Sequence, residues 1–179
     1  MVSFTDAMID IETLGTETGS VILSIAAVKF NLKTGWHETD PFFTPVDIQS
    51  CLDVGMKIDG GALRFWLGQP QEVRDISMPE AALYLEPALY QLAEYLEGCT
   101  RFWAYGPMFD IAMLDFAYKA VKVRPAWVYR QPRCVRTILD LADIQLEDFP
   151  TDALHDPRAD CVQQIRATVA AYKKLHPNG

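Results

Sequence analysis

Ala7-Met8-Ile9-Asp10-Ile11-Glu12, close to the N-terminus, has the alternating pattern of a β-strand. In a strand the two isoleucines fall on one face and the two acids, Asp10 and Glu12, fall on the other. The next apolar segment, Val21–Phe30, is long, rich in β-branched residues and apolar on both faces, which is typical of a central strand. The two segments predict a sheet in which a pair of acidic side chains lies at the end of a buried strand.

The rest of the sequence predicts a third strand and then helices that alternate with further strands. Asn31–Gly35 has the composition of a hairpin turn, so a third strand near Trp36–Phe43 would complete an antiparallel meander. Arg101–Tyr105 is a further strand, whereas Gln69–Leu85 receives no assignment and Arg124–Arg133, with two prolines, is interpreted as a loop. We assign helices to Gly61–Leu67, Pro87–Leu96, Asp110–Val121, Val135–Ile144 and a final segment that Asp156 caps and Pro157 begins. This order indicates an α/β fold with a mixed sheet.

Length and composition predict one domain over residues 1–179. Half of the residues are apolar and 22% are charged, which suits a single core and argues against disorder. The longest apolar run, Val21–Phe30, is too short for a membrane span, and Met1–Asp6 lacks the basic start of a secretory signal. The four cysteines lie tens of residues apart, as expected of free thiols. We therefore expect a cytoplasmic location and no membrane partner.

The net charge of −8 argues against a protein that coats nucleic acid but leaves a metal-dependent nuclease open. A protein that coats nucleic acid neutralises many phosphates and is expected to be basic. Two divalent cations bound by four carboxylates would change the charge from −8 to −4. A nuclease that holds one strand end in a metal-filled cleft needs no basic exterior, so a metal-dependent hydrolase remains compatible with this composition.

Asp10 and Glu12 form the first candidate metal site. Residues i and i+2 of a strand project from the same face about 6.5–7 Å apart. That spacing suits one cation, or two cations about 3.5–4 Å apart. The alternative is an exposed strand face, but two like charges at the end of a buried strand repel each other unless a cation neutralises them.

Two further segments carry candidate catalytic side chains. Asp110 follows a predicted strand and Gly106 and begins a helix, so it is a helix cap or a metal ligand. His155 precedes the final helix and Asp160 lies in the first turns of that helix, so both side chains can face one cleft. A histidine can take a proton from water near neutral pH, although a surface histidine before a helix is the simpler interpretation.

In the order D-x-E, F-D and H-x4-D, these motifs resemble the DEDDh family of 3′→5′ exonucleases. The resemblance covers nearly the whole chain: Asp10 to Gly15 is similar to the first motif, Phe109-Asp110 to the second and His155 to Asp160 to the third. Arg136 to Ala142 and Phe65-Trp66-Leu67 are similar to a branch that contains bacteriophage exodeoxyribonucleases and a mycobacterial-type exoribonuclease. Tyr105 stands where the family often has asparagine, four residues before the Phe-Asp pair.

The resemblance implies a fold, a reaction and roles for individual residues. The fold would be RNase H-like, with a five-stranded mixed sheet in which parallel strands follow a three-strand antiparallel meander, flanked by helices. Asp10 would bridge two Mg²⁺ or Mn²⁺ ions, Glu12 and Asp160 would complete one site, and Asp110 would serve the other through water. His155 would accept the proton of the attacking water, and nucleoside 5′-monophosphates would leave from the 3′ end.

Substrate recognition is predicted in less detail. The resemblance implies that Thr13, Leu14 and Phe109 contact the terminal nucleotide. Trp66 is either a stacking residue or a core residue. Arg133 and Arg136 either contact phosphates or have a solvated or salt-bridging role.

Several functions remain open from the sequence alone. DNA is favoured over RNA because the phage-type resemblance is slightly closer, and the 2′-hydroxyl contact that separates them cannot be read from a sequence. A catalytically inactive nucleic-acid-binding module and a metal-binding structural protein are also compatible with the motifs, although the complete set of four acids and a histidine argues against the inactive module. Relatives of similar size are often dimers, so analogy adds a homodimer as a partner to test.

Overall fold

The central sheet has five strands, with the first strand of the chain in its middle. The computed structural model describes residues 4–151, 153 and 155–177. The strands are β1 (Asp6–Thr13), β2 (Ile22–Phe30), β3 (Phe42–Pro45), β4 (Arg101–Ala104) and β5 (Pro132–Cys134), and their order across the sheet is β3-β2-β1-β4-β5. β1, β2 and β3 pair antiparallel, β4 runs parallel to β1, and β5 runs parallel to β4. The predicted mixed five-stranded sheet is confirmed.

Helices cover both faces of the sheet. In the described ranges they are α1 (Ile48–Asp53), α2 (Gly60–Leu67), α3 (Gln71–Ser77), α4 (Leu85–Tyr95), α5 (Asp110–Ala120), α6 (Val135–Ala142), a 3-10 helix (Leu146–Asp148) and α7 (Pro157–Leu175). α4 and α5 share a core with Ile9 and Ile11, whereas α6 and α7 share the opposite core with Met8. The predicted alternation of β1 therefore places its two acids on the α7 face. No helix among the described residues has the length and hydropathy to cross a membrane.

The third strand begins later than the sequence predicts. The sequence pattern favours Trp36–Phe43, but β3 covers Phe42–Pro45, and an isolated bridge between His37 and Phe30 stands where the predicted strand would begin. Pro41 has no N–H group to donate to a neighbouring strand, so continuous pairing starts after it.

Within the described residues, four elements form where the sequence predicts none: α1, α3, β5 and the 3-10 helix. Asp47 caps α1 by accepting a hydrogen bond from the Ser50 N–H at 2.7 Å. α3 lies inside the segment that the sequence pattern leaves unassigned. β5 lies partly inside the predicted loop and begins at Pro132, which is tolerated because β5 is an outer strand of the sheet.

Candidate active site

Four acidic side chains meet in a cleft at the C-terminal end of β1. Asp10 and Glu12 project from β1, Asp110 begins α5 after β4, and Asp160 lies in the first turn of α7. Because β1 and β4 are parallel, their C-terminal ends lie at the same edge of the sheet, which brings Asp110 beside the acids of β1. The cleft has a volume of about 350 Å³, and all four acids line it. The structure thus brings together the acids that the three motifs single out.

Three of these carboxylates are close enough to bind a common cation. One oxygen from each of Asp10, Glu12 and Asp160 lies within 4.8 Å of the other two. Asp110 lines the same cleft but is not part of this group. A donor set made only of carboxylate oxygens suits Mg²⁺ or Mn²⁺ better than zinc.

Burial and mutual repulsion make the ionised state of this cluster unfavourable. Burial, followed by the charges of the other three acids, raises the pKa of Asp10 well above its usual range. Burial and the charge of Asp160 raise the pKa of Glu12 to about 8. Burial also raises the pKa of Asp110 to about 7 and the pKa of Asp160 to about 6. Near neutral pH Asp10 and Glu12, the most strongly shifted groups, therefore keep protons unless a cation neutralises them, which is the electrostatic setting of a metal site.

Gln164 is a residue of the site that the sequence did not reveal. Its Nε2 donates a hydrogen bond of 2.9 Å to Oδ1 of Asp10. The side chain is 4% exposed, and its Oε1 is buried with no partner among the described residues. Gln164 follows Asp160 by one helical turn on α7, and this i, i+4 spacing is the signal that could have identified it. The amide therefore fixes the orientation of the Asp10 carboxylate.

We expect Gln164→Leu to lower cation affinity or hydrolysis about 10–100-fold, the usual cost of losing a partner that orients a metal ligand. Calorimetric titration with Mn²⁺ measures the cation affinity independently of activity. Gln163→Leu is the matched control, because Gln163 lines the cleft but forms no hydrogen bond with its acids in the described part of the chain. Equal behaviour of the two variants would contradict the role of Gln164.

His155 lies beside the acid cluster on the side of Glu12. Its Nδ1 is 4.0 Å from Oε1 of Glu12, and 37% of its side chain is exposed. The backbone of His155 has φ 58°, in the left-handed region that non-glycine residues rarely adopt. Such strain persists where the surrounding structure imposes it, often at functional sites. His155 is therefore close enough to the cluster to act on a water held there.

The predicted substrate contacts are only partly brought to the cleft. Phe109 is half-buried and lines it. Thr13 and Leu14 are buried, at 9% and 1% exposure, and the Thr13 hydroxyl donates to the carbonyl of Gly15 at 2.6 Å. These two residues face the protein in this structure.

Trp66 is a core residue, so the stacking interpretation of this side chain does not fit the structure. It is 2% exposed, and its Nε1 donates to the Thr13 carbonyl at 3.0 Å. Its neighbour Phe65 is 47% exposed and meets the His155 ring edge-on, with 5.3 Å between centroids. The sequence could not separate these adjacent aromatics, because which of them faces the core depends on how α2 rotates against the sheet.

Comparison with known proteins places the fold in a defined class. Exonuclease I of E. coli in complex with a dA16 oligonucleotide has 16% identity and a TM-score of 0.67 over 96% of this chain, which spans only 40% of that longer chain. A full-length 3′-exonuclease has 14% identity and a TM-score of 0.63, covering 96% of this chain and 83% of the other. The nuclease domain of 3′hExo, a DEDDh family member bound to rAMP, has 14% identity and a TM-score of 0.58, covering 98% and 94%. The fold is thus the RNase H-like fold of DEDDh exonucleases.

The family follows from a match over most of the sequence. Residues 5–171 match the family model of the 3′-5′ exoribonuclease Rv2179c-like domain, and the chain belongs to that family. It is accordingly a nuclease of the 3′→5′ exonuclease type. No curated protein sequence matches the chain.

Proposed function

We propose that this chain removes nucleoside 5′-monophosphates from the 3′ end of a nucleic acid strand, using two divalent cations. The cluster of Asp10, Glu12 and Asp160, with carboxylate oxygens within 4.8 Å of one another, is the observation that carries the proposal. Asp110 and Asp10 line the same cleft, so these two side chains would hold the second cation. When bound, such cations lower the pKa of a coordinated water and stabilise charge on the phosphate and the departing 3′ oxygen.

The residues of the chain would position the reactants and move the proton. His155 would accept the proton of the attacking water on a ring nitrogen, since Nδ1 already lies 4.0 Å from the Glu12 carboxylate. Gln164 would keep the Asp10 carboxylate in its orientation through the 2.9 Å hydrogen bond. Phe109, half-buried on the cleft wall, would press against the terminal nucleotide. Thr13 and Leu14 are buried beneath the cleft surface, where they would hold the end of β1 in position.

RNA is the substrate that we propose first, with DNA as the second candidate. The description of the matching family as exoribonucleases supports RNA. The resemblance of the sequence to phage enzymes, and the likeness of the fold to an exonuclease bound to dA16, support DNA. A contact with the 2′-hydroxyl would separate the two substrates.

A labelled-strand assay tests the proposal directly. RNA and DNA oligonucleotides of one sequence, labelled at the 5′ end, are incubated with Mg²⁺, Mn²⁺ or EDTA. The proposal predicts a ladder that shortens from the 3′ end with either cation and no cleavage in EDTA. Cleavage in EDTA, or a cut inside the strand, would contradict it. Cation binding without any cleavage would favour an inactive binding module.

We expect His155→Ala to reduce kcat about 10²–10⁴-fold, the usual contribution of a general base. Folding and cation binding should be unchanged, because the His155 side chain is partly exposed and carries no carboxylate. His176→Ala serves as the matched control: His176 is exposed at the end of α7, where it stacks on Tyr172, and should keep full activity. A fully active His155→Ala variant would remove this residue from the mechanism.

Two further proposals concern cellular location and oligomeric state. All four cysteines are free, which supports a reducing compartment such as the cytoplasm.

We also propose a homodimer, because a second subunit would add contacts with the substrate beside an open cleft on a small domain. Light scattering tests the dimer, and a mass of one protomer would contradict it.

A further inference from the structure

A second cavity adjoins the acidic cleft on the side of Asp110. It has a volume of about 460 Å³, within the range of small-molecule sites, and lies between the end of β4, α6 and the 3-10 helix. Tyr105, Arg136 and Leu146 line both the cavity and the cleft. A ligand that extends from the cleft into this cavity must therefore pass the guanidinium of Arg136.

Tyr105 and Gly106 border the Arg136 guanidinium. The guanidinium carbon lies 4.6 Å from the centroid of the Tyr105 ring, in cation–π contact. A Cβ atom on Gly106 would lie 3.5 Å from the same guanidinium, an ordinary van der Waals contact, so Gly106 borders it on the backbone side. Tyr105 thus supports the arginine from its ring face, and the guanidinium N–H groups of Arg136 form no hydrogen bond with any other described residue.

Charge makes Arg136 distinctive within the cleft. Four acids line the cleft, and Arg136 is the one cationic side chain among its described lining residues. It forms no ion pair within 4.0 Å with any carboxylate in the described structure. The charge of Arg136 acts on Asp110, but no carboxylate of the described residues lies within 4.0 Å of the guanidinium, so it is suited to a bidentate contact with phosphate next to a site for a polyanionic strand.

We infer that Arg136, supported by Tyr105, binds the phosphate on the 5′ side of the scissile phosphate, and that the adjoining cavity receives the nucleoside attached there. The inference rests on the proposed function, because it assigns the path of the same substrate strand. The cations held by the acids would neutralise the scissile phosphate. The next phosphate along the strand would lie beyond the acids that hold these cations, so a positive group of the protein would be needed to bind it. Arg136 lies at the boundary between the cleft and the cavity, where that phosphate would pass.

The test compares Arg136→Gln on two substrates. One is an oligonucleotide; the other is a nucleoside 5′-(p-nitrophenyl) phosphate of the same sugar, which has one phosphate and no nucleotide on its 5′ side. We expect the oligonucleotide KM to rise about tenfold or more, because a charge-assisted contact is lost. The slope of log KM against log salt should become shallower by about 0.7, the value for one phosphate contact on a single strand. Hydrolysis of the p-nitrophenyl ester should stay within about threefold, since the ester has no phosphate for this contact to bind.

Arg130, which precedes β5, is the matched control for Arg136, which follows β5. The Arg130 guanidinium carbon lies 5.3 Å from the centroid of the Tyr129 ring, a similar stacked pair away from the cleft lining. Arg130→Gln should leave both substrates unaffected. Tyr105→Leu, which removes the supporting ring but keeps the arginine, should raise the oligonucleotide KM by a smaller factor than Arg136→Gln.

The outcomes separate this inference from the proposed function. An unchanged oligonucleotide KM in Arg136→Gln, or an equal loss on both substrates, would overturn the inference, the latter by showing action at the scissile phosphate or through Asp110. A loss confined to the oligonucleotide supports it. If the wild-type protein with Mg²⁺ or Mn²⁺ hydrolyses neither substrate, the proposed function itself fails and the inference falls with it.

Discussion

Asp10→Asn is expected to abolish hydrolysis and, at the same time, to stabilise the cation-free protein. The loss should be about 10³-fold or more, because a shared cation ligand supports several kcal/mol of transition-state stabilisation. The gain in stability has an electrostatic origin. Burial and three neighbouring acids raise the pKa of Asp10, so the ionised form of this side chain is unfavourable in the folded state. Asparagine removes this charge and keeps an Oδ1 that can accept the hydrogen bond from Gln164.

Thermal unfolding at pH 8 in EDTA, beside the labelled-strand assay in Mg²⁺, measures both effects. One pKa unit corresponds to about 1.4 kcal/mol. About 1 kcal/mol moves the Tm of a domain of this size by about 2–4 °C. We therefore expect the Tm of Asp10→Asn in EDTA to be a few degrees above that of the wild-type protein. Retained activity would remove Asp10 from the catalytic site. A clear fall in Tm would show that its carboxylate stabilises the fold.

Asp6→Asn is the matched control on the same strand. Asp6 is fully buried, but it accepts hydrogen bonds from Arg101 and from Nε1 of Trp103, the latter at 2.8 Å. Loss of this buried partner should destabilise the protein, because the Arg101 guanidinium loses its counter-charge. The activity of each folded molecule should remain. Two aspartates four residues apart on β1 are therefore expected to respond to the same substitution with stability changes of opposite sign.

The stability of the cation-free protein should fall as pH rises from about 4 to 8, and cations should reverse this fall. The folded-state pKa is raised to about 8 for Glu12, about 7 for Asp110 and about 6 for Asp160. In this pH window the folded protein keeps protons that the unfolded chain has already released. The free energy of unfolding therefore decreases with increasing pH.

Cation binding has the opposite pH dependence. The cations displace the retained protons, so their affinity and their stabilising effect should increase as pH rises. We expect the Tm in EDTA to be about 5 °C or more lower at pH 8 than at pH 5, on the scale of 2–4 °C per kcal/mol. The rise in Tm on adding Mn²⁺ should be larger at pH 8 than at pH 5.

The double variant Glu12→Gln, Asp110→Asn is the control for this dependence. It removes two of the titrating groups, so its Tm in EDTA should change less between pH 5 and pH 8. Asp156, whose pKa is lowered by its hydrogen bonds with Arg158, titrates below this window and does not reverse the trend. A Tm in EDTA that increases with pH across the window would contradict the electrostatic description of the cluster.

Local patterns in the sequence were sufficient for the framework of the fold and for the main acids. Alternation in Ala7–Glu12 identifies the central strand and puts both carboxylates on one face, and this is a property of any extended backbone. Asp156 and Pro157 mark the start of α7 because capping and the fixed φ of proline act within a few residues. Such signals need no knowledge of distant contacts.

The rest depended on contacts between residues far apart in the chain. The partnership of Asp10 and Gln164 spans 154 positions, and the burial of Trp66 depends on how α2 lies against β1. The Tyr105–Arg136 pair forms only when α6 begins beside the end of β4. The hydrophobic effect that drives this packing is non-directional. The sequence pattern therefore specifies which face of a helix or strand is buried, but not which residues lie opposite it across the core. Packing of the complete sheet and helices selects those partners, and with them the surroundings of each catalytic carboxylate.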